Sequence, residues 1–269
     1  MKKKIVLITA NEVRHKYFKY SLNNFNNIDL ILSVCENNLN RQSKEIIKSN
    51  KRAIDLKKHF ISRDYYEKKI FNLKKFKKKK IKEEIIISRN ELNHNHNLVQ
   101  KIINYKPDLI ISYGCSLIKN ELINKFKNRF INLHLGLSPY YKGSATNFWP
   151  IVNNELQFLG GTFMYIDNGV DSGPIIHQFR ADLKPKDNIH TIGCKIIVKS
   201  IEELKKILLN LKSIKSKKQW KIKKSKIYKR SDLNLKSLIK VKKNLNEKNI
   251  KKYLTNKKKE DYKFPIISL

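Results

Sequence analysis

The feature that most constrains this chain is a train of short apolar runs, each separated from the next by a stretch with helical spacing. Residues 4–9 (KIVLIT), the run IDLILSVCE, the run EEIIIS at 83–88, PDLIISYG and FINLHLG are each the length of a strand. Between them lie HKYFKYSLNNF, a long basic segment over 44–82 that reads as helix, LNHNHNLVQKIINY ending before Pro107, and ELINKFKNR. Strands alternating with helices predict an α/β fold with a mostly parallel, doubly wound sheet and right-handed crossovers. Sites in such sheets gather at the carboxyl ends of the strands.

Glycine placement narrows the location. The chain has eight glycines among 269 residues, and seven of them fall within 114–173. In a chain that otherwise avoids glycine, such a cluster marks backbone that needs a positive φ or a close approach to another group. The same region holds a third signal. Asn132 and His134 stand two apart on the run FINLHLG, so their side chains share one strand face. Asp167 and Asp171 follow the apparent strand GTFMYI in the turn DNGVDSGP. An amide, an imidazole and a carboxylate at strand ends can hold and polarise a carbonyl while managing a proton.

The pattern PDLIISYG, INLHLGLSPYYKG and GGTFMYIDNGVDSGP, with its combined Asn-x-His, Pro-x-x-x-Gly and Asp-x-Gly-Pro elements, resembles the folate-dependent formyltransferases. That family includes the phosphoribosylglycinamide, methionyl-tRNA and nucleotide-sugar N-formyltransferases. The resemblance is dense over about residues 105–180, and before that rests on the order of strands and helices. It implies a formyltransferase-type sheet, 10-formyltetrahydrofolate as formyl donor, no metal, and Asn132, His134 and Asp171 as the catalytic trio. Asn132 and an N–H of His134 would donate to the oxygen on which charge develops, and Asp171 would orient His134 or position a water. The donor pocket implied is Cys115, Ser116, Leu117 and Ile118 with Asp167, Asn168, Gly169 and Val170. For the acceptor it implies Pro139, Gly143 and Asn147, and Arg14 and His15 could supply charge after the first strand, where the purine-pathway enzymes have a glycine-rich loop. This chain reads TANEVRHKYF there, with no glycine. The family's Ser-Leu-Leu-Pro is Gly136-Leu137-Ser138-Pro139 here, which alters the entrance to the acceptor site.

The acceptor expected is a small-molecule primary amine, first an amino-sugar nucleotide, because Asn147, Phe148 and Trp149 are similar to a run in the nucleotide-sugar enzymes. Phosphoribosylglycinamide is the alternative, followed by methionyl-tRNA, or by water in a formyltetrahydrofolate hydrolase. Lys and Arg number 59 against 23 Asp and Glu, a formal charge of +36, which invites a nucleic-acid partner. The excess is spread along the whole chain and accompanies abundant Ile and Asn, as a compositional skew would, so that partner is not favoured. Residues 213–269 carry 20 Lys or Arg and four acids, too short and too helix-like for a tRNA-binding barrel. They read as a basic helical extension packed on a catalytic domain of residues 1–212. Cys35, Cys115 and Cys194 lie far apart, as in a reducing cytoplasm, and the start MKKKIVLITANE is too short an apolar run for a signal core or membrane span. His94, His96, His177 and His190 have no partner readable from sequence.

Overall fold

The computed structural model describes residues 2–37, 54–74, 76, 79–222 and 226–269. Strands β1 (Lys3–Ala10), β2 (Ile28–Glu36), β3 (Glu84–Ile87), β4 (Leu109–Tyr113) and β5 (Phe130–His134) run parallel, and β7 (Gly160–Tyr165) and β8 (Ile175–Arg180) complete the sheet antiparallel. The seven strands lie in the order β3-β2-β1-β4-β5-β7-β8. The order turns from descending to ascending between β1 and β4, which is where a doubly wound sheet opens a crevice at its carboxyl edge.

The apolar runs are continuous because both sheet faces are covered. Ile5, Leu7, Leu109, Ile111, Ile131 and Leu133 point to one core, while Val6, Ile8, Ile110 and Phe130 point to the other. On the first face pack α1 (Val13–Asn23), α2 (Ile54–Phe71), the short α5 (Trp149–Val152), α6 (Ile189–Asn210), α7 (Leu235–Asn244) and α8 (Glu247–Lys263); on the second pack α3 (His96–Asn104) and α4 (Leu122–Lys125). Each fully buried Ile or Leu contributes roughly 1.5–3 kcal/mol relative to exposure. The abundant asparagines are put to use at helix starts. Asn95, Asn188, Asn234 and Asn246 each accept a backbone N–H at the start of α3, α6, α7 and α8.

Two expected helices are shorter than the pattern suggests. Among the described residues of 44–82 the helix covers 54–71 and ends well before 82, because Asn72 at φ 38° leaves the helical region; residues 44–53, 75, 77 and 78 lie outside the described ones. Helix α4 has four residues, and Asn128 at φ 60° turns the chain toward β5.

After α6 the chain recrosses the catalytic face. Lys217 pairs with Ile175, β9 (Lys226–Tyr228) pairs in parallel with β6 (Tyr141–Gly143), and α7 and α8 place Leu238, Val241, Ile250 and Tyr253 in the larger core. The Leu269 N–H then donates to His177 Nδ1 at 3.0 Å, giving that histidine a partner among the last residues. Among the described residues no helix is long and apolar enough to cross a membrane.

Candidate active site

Strand register brings the first two polar groups together. Ser112 on β4 is the direct neighbour of Asn132 on β5, and its hydroxyl donates to Asn132 Oδ1 at 3.0 Å. In this arrangement Oδ1 is turned toward Ser112 and Nδ2 away from it. The Nδ2 group has no hydrogen-bond partner among the described residues, and Asn132 lines the cleft.

Two residues on, His134 is almost fully buried, and β6 holds it. Its Nε2 lies 2.9 Å from the Tyr141 carbonyl oxygen, which only accepts, so Nε2 carries the hydrogen. Its Nδ1 lies 3.3 Å from Asp171 Oδ2. The same carboxylate oxygen accepts the Gly143 N–H at 2.8 Å. One three-residue strand therefore grips both members of the His–Asp pair. The imidazole sits this deep because residue 136 is glycine: a Cβ there would fall 2.6 Å from His134 Nε2. Gly143 is required for a different reason. Its φ is 89°, and a Cβ would lie 2.2 Å from the Tyr228 carbonyl on β9.

Asp171 itself adopts φ 48°, a left-handed conformation that Asp tolerates better than most residues. Gln219, from the segment after α6, donates through Nε2 to the carbonyls of Asp171 and Gly173, both at 2.9 Å. Behind β6, Tyr228 stacks between Trp149 (centroids 4.6 Å apart) and Tyr141 (5.7 Å). The chain after residue 212 thus braces the loop and strand that hold Asp171.

The trio opens on a cleft of about 560 Å³. On one side it is lined by Cys115, Ser116, Leu117, Ile118, Asp167, Gly169 and Val170; Asn168 is exposed and does not line it. Buried Glu36, at the end of β2, accepts the N–H groups of Ser116 and Asn90 and so shapes the first of these loops. Asp167 is occupied within its own loop by Ser172 Oγ and the Gly169 N–H. Ser116 Oγ is buried without a protein partner, and with Ile118 and Val170 beside it this wall suits a flat heterocycle with polar edges. Burial raises the thiol pKa of Cys115 far above its usual range and that of Cys194 to about 12, so neither is a thiolate at neutral pH.

The opposite end is basic and aromatic. Arg14 and buried His15 line it, together with His59, Arg63, Glu67, Tyr113, His190 and Arg230. Of these only Arg14 and His15 were legible as site residues. His59, Arg63 and Glu67 lie in the long basic segment, His190 has no partner readable from sequence, and Arg230 stands 57 residues beyond Gly173, the end of the nearest site loop, in a stretch whose composition resembles the rest of the chain. Ser112 and Tyr113 carried a faint signal as polar groups ending an apolar strand. Burial first, then neighbouring positive charge, drives His15 well below the usual imidazole range; burial first, with Arg63 contributing in both cases, takes His59 to about 3 and His190 to about 4.

Three expectations change. Pro139 is buried and does not line the cleft. Asn147 lines it, but its amide is committed at both ends to the Gly160 backbone at 2.9 Å, so it pins a strand. His134 has no N–H left over for an oxyanion, since Tyr141 takes the one on Nε2 and Asp171 faces Nδ1. Trp149, 5% exposed, belongs to the core.

Against known proteins, the chain is 30% identical over 125 residues to the methionyl-tRNA formyltransferase of Thermodesulfovibrio yellowstonii, a match covering 43% of this chain and 40% of that one. The matched region thus spans well under half of that relative. A 4-N formyltransferase from Francisella tularensis superposes with a TM-score of 0.56 at 19% identity, over 89% of this chain and 86% of the other. An N-formyltransferase from Helicobacter canadensis, solved with folinic acid and dTDP-3-aminofucose, does so with a TM-score of 0.51 at 22% identity, over 87% and 73%. These two likenesses concern the fold. The sequence profile of the formyl transferase family matches residues 22–207, from the end of α1 into α6, a stretch that carries six of the seven sheet strands and all three of Asn132, His134 and Asp171. The chain belongs to the formyl transferase family.

Proposed function

We propose that this protein transfers a formyl group from 10-formyltetrahydrofolate to the primary amine of a small anionic metabolite, with an amino-sugar nucleotide as the leading candidate. The observation that carries the reading is the arrangement of Asn132, His134 and Asp171 at the centre of the cleft: one unpartnered amide N–H₂ beside one histidine–carboxylate pair. The donor, when bound, supplies the activated formyl carbon; Cys115–Ile118 and Asp167–Val170 would hold its ring system.

The chain's own groups divide the work as follows. Asn132 Nδ2 is free to donate to the formyl oxygen, a contact that strengthens as charge builds there and is worth about 3–4 kcal/mol. The bond to Ser112 engages Oδ1 and leaves the Nδ2 hydrogens available for that contact. The attacking amine must lose a proton as it adds. With hydrogen fixed on Nε2, the lone pair of His134 is on Nδ1, which faces Asp171, and the pair takes that proton through the Asp171 carboxylate or one water beside it. Asp171 then faces the resulting imidazolium across 3.3 Å and stabilises it. The proton passes on to the departing folate nitrogen. No thiolate participates.

Purified protein incubated with 10-formyltetrahydrofolate and a panel of amines tests this. Formylated product in the mass spectrum with an amino-sugar nucleotide, lost in Asn132→Ala, supports it. Tetrahydrofolate release that needs no amine would instead mark a hydrolase. Formylation of methionyl-tRNA alone would favour the activity named for its sequence relatives.

A further inference from the structure

We infer that Gln219 is a positioning residue for Asp171, so that the segment after α6, which lies beyond the stretch matched by the family profile, takes part in catalysis through the carboxylate it holds. This rests on the amine-formylation reading and deepens it, by naming what keeps the carboxylate against the imidazole. Asp171 stands at φ 48°, a left-handed conformation in which Cβ crowds the following carbonyl and which costs every residue but glycine. Such a backbone persists only where its surroundings over-determine it. From this backbone the carboxylate reaches His134 Nδ1 at 3.3 Å and accepts the Gly143 N–H at 2.8 Å. Relaxing φ to the negative values that Asp ordinarily adopts would aim the side chain elsewhere.

The loop that carries Asp171 is closed at its base by the Tyr165 N–H, which donates to the Pro174 carbonyl at 2.9 Å. Within it, the directions of the Asp171 and Gly173 carbonyls set ψ at those two residues, and Gln219 Nε2 donates to both at 2.9 Å. Carbonyl oxygens only accept, so the donor end of the amide must face them, and both of its hydrogens are used. Gln219 Oε1 is buried with no partner among the described residues, so the side chain acts through Nε2 alone.

Gln219 is itself held from both sides. Lys217 exchanges backbone hydrogen bonds with Ile175 at 2.7 and 2.8 Å, and Trp220 packs edge-on against Tyr140 with centroids 5.7 Å apart. Residues 215–218 are exposed, and Gln219 turns inward from them. Its amide also lies 3.9 Å from Met164 Sδ, and Met164 is the register partner of Asn132 across β5 and β7. Gln219 does not line the cleft, so it has no reach to a bound donor or amine, and its influence on the reaction passes through Asp171.

Gln219→Met keeps the length of the side chain and removes both donors. The expected result is a kcat lower by about 10- to 100-fold, as for a small misplacement of a reacting group, with KM for the folate donor and for the amine changed less than about threefold. In an Asp171→Asn background the same substitution should cost less than about threefold, because residues that act through one group are not additive. Gln219→Glu, which puts an acceptor where the donor was at nearly equal size, should act in the same direction and serves as a second folded variant. Hydrogen exchange reads the positioning without turnover: the Gly143 amide, which donates to Asp171, should exchange about fivefold faster or more in either variant while the β1 amides keep their protection. Unchanged Gly143 exchange in a folded variant, an equal loss of kcat with and without the Asp171 carboxylate, or a rise confined to KM for the donor each overturns the assignment. A wild type that formylates no amine, while Gly143 exchange still responds to the variants, leaves the positioning standing and sinks the activity instead.

Discussion

The two ends of the cleft are built on opposite principles. At the reacting centre nearly every polar atom already has a protein partner: Ser112 on Asn132 Oδ1, Tyr141 and Asp171 on the two nitrogens of His134, and Gly143 on Asp171. At the basic end Tyr113 OH and His15 Nδ1 have none, and Arg14 and Arg63 share the Glu67 carboxylate. The first pattern is that of a group whose orientation must not change during reaction, because reorienting dipoles then would add to the barrier. The second is that of a site whose last partners arrive with the ligand. The lesson is that satisfaction of hydrogen bonds, more than charge or exposure, separates the part of this cleft that performs chemistry from the part that holds.

This contrast can be broken at the reacting centre first. Asp171→Asn should lower kcat by about 10²–10⁴-fold, the range for a general acid–base pair, because an amide cannot stabilise the imidazolium. Asn also tolerates the left-handed backbone at this position, so unchanged circular dichroism together with near-wild-type activity would dismiss the His–Asp role. Asn132→Ala should cost about 10²–10³-fold in kcat with little change in the KM values, as expected for a donor that acts only when charge builds. A rise confined to KM would place Asn132 in ground-state binding. Ser112→Ala should cost less, about five- to tenfold in kcat, since it removes one neutral bond of about 1 kcal/mol and lets the Asn132 amide turn.

The last effect is on stability alone and belongs to the other end. His59 titrates near 3 and His190 near 4 in the folded protein, below the ordinary value of about 6.5 in the unfolded chain. Below about pH 6.5 the unfolded state therefore binds protons that the folded state does not. Each histidine should lower stability by up to about 1.4 kcal/mol per pH unit between that value and its folded pKa. Denaturant titrations at pH 7 and 5 should show the loss, and His59→Gln should reduce it. A slope unchanged in that variant would mean that His59 is protonated in the folded state.

How far the sequence reached depends on the range of the interaction. Asn132 and His134 were legible because a strand's period of two puts them on one face, and Asp171 through the turn chemistry around it. Arg14 and His15 were legible by position after β1. What was missed came from elsewhere in the chain: Arg63 and Glu67 on α2, His190 at the start of α6, Gln219 and Arg230 after it. No local spacing connects these residues, and their types are common in a lysine-rich chain. Asn147 and Pro139 erred the other way, since the same motif serves the backbone at Gly160 and the packing of the loop.

By itself the amino-acid sequence determined the sheet, because alternating apolar runs and helical stretches have few ways to bury both faces, and it determined which strand carries the amide and the imidazole. Only the tertiary structure decided the roles within the site. Whether an imidazole nitrogen holds a hydrogen, whether an amide is free or already bonded, and which arginines share a cavity all depend on groups within a few ångströms. In this chain those groups are supplied by β6, β9 and the segment around Gln219, brought to the cleft by long-range pairing that leaves no period in the sequence.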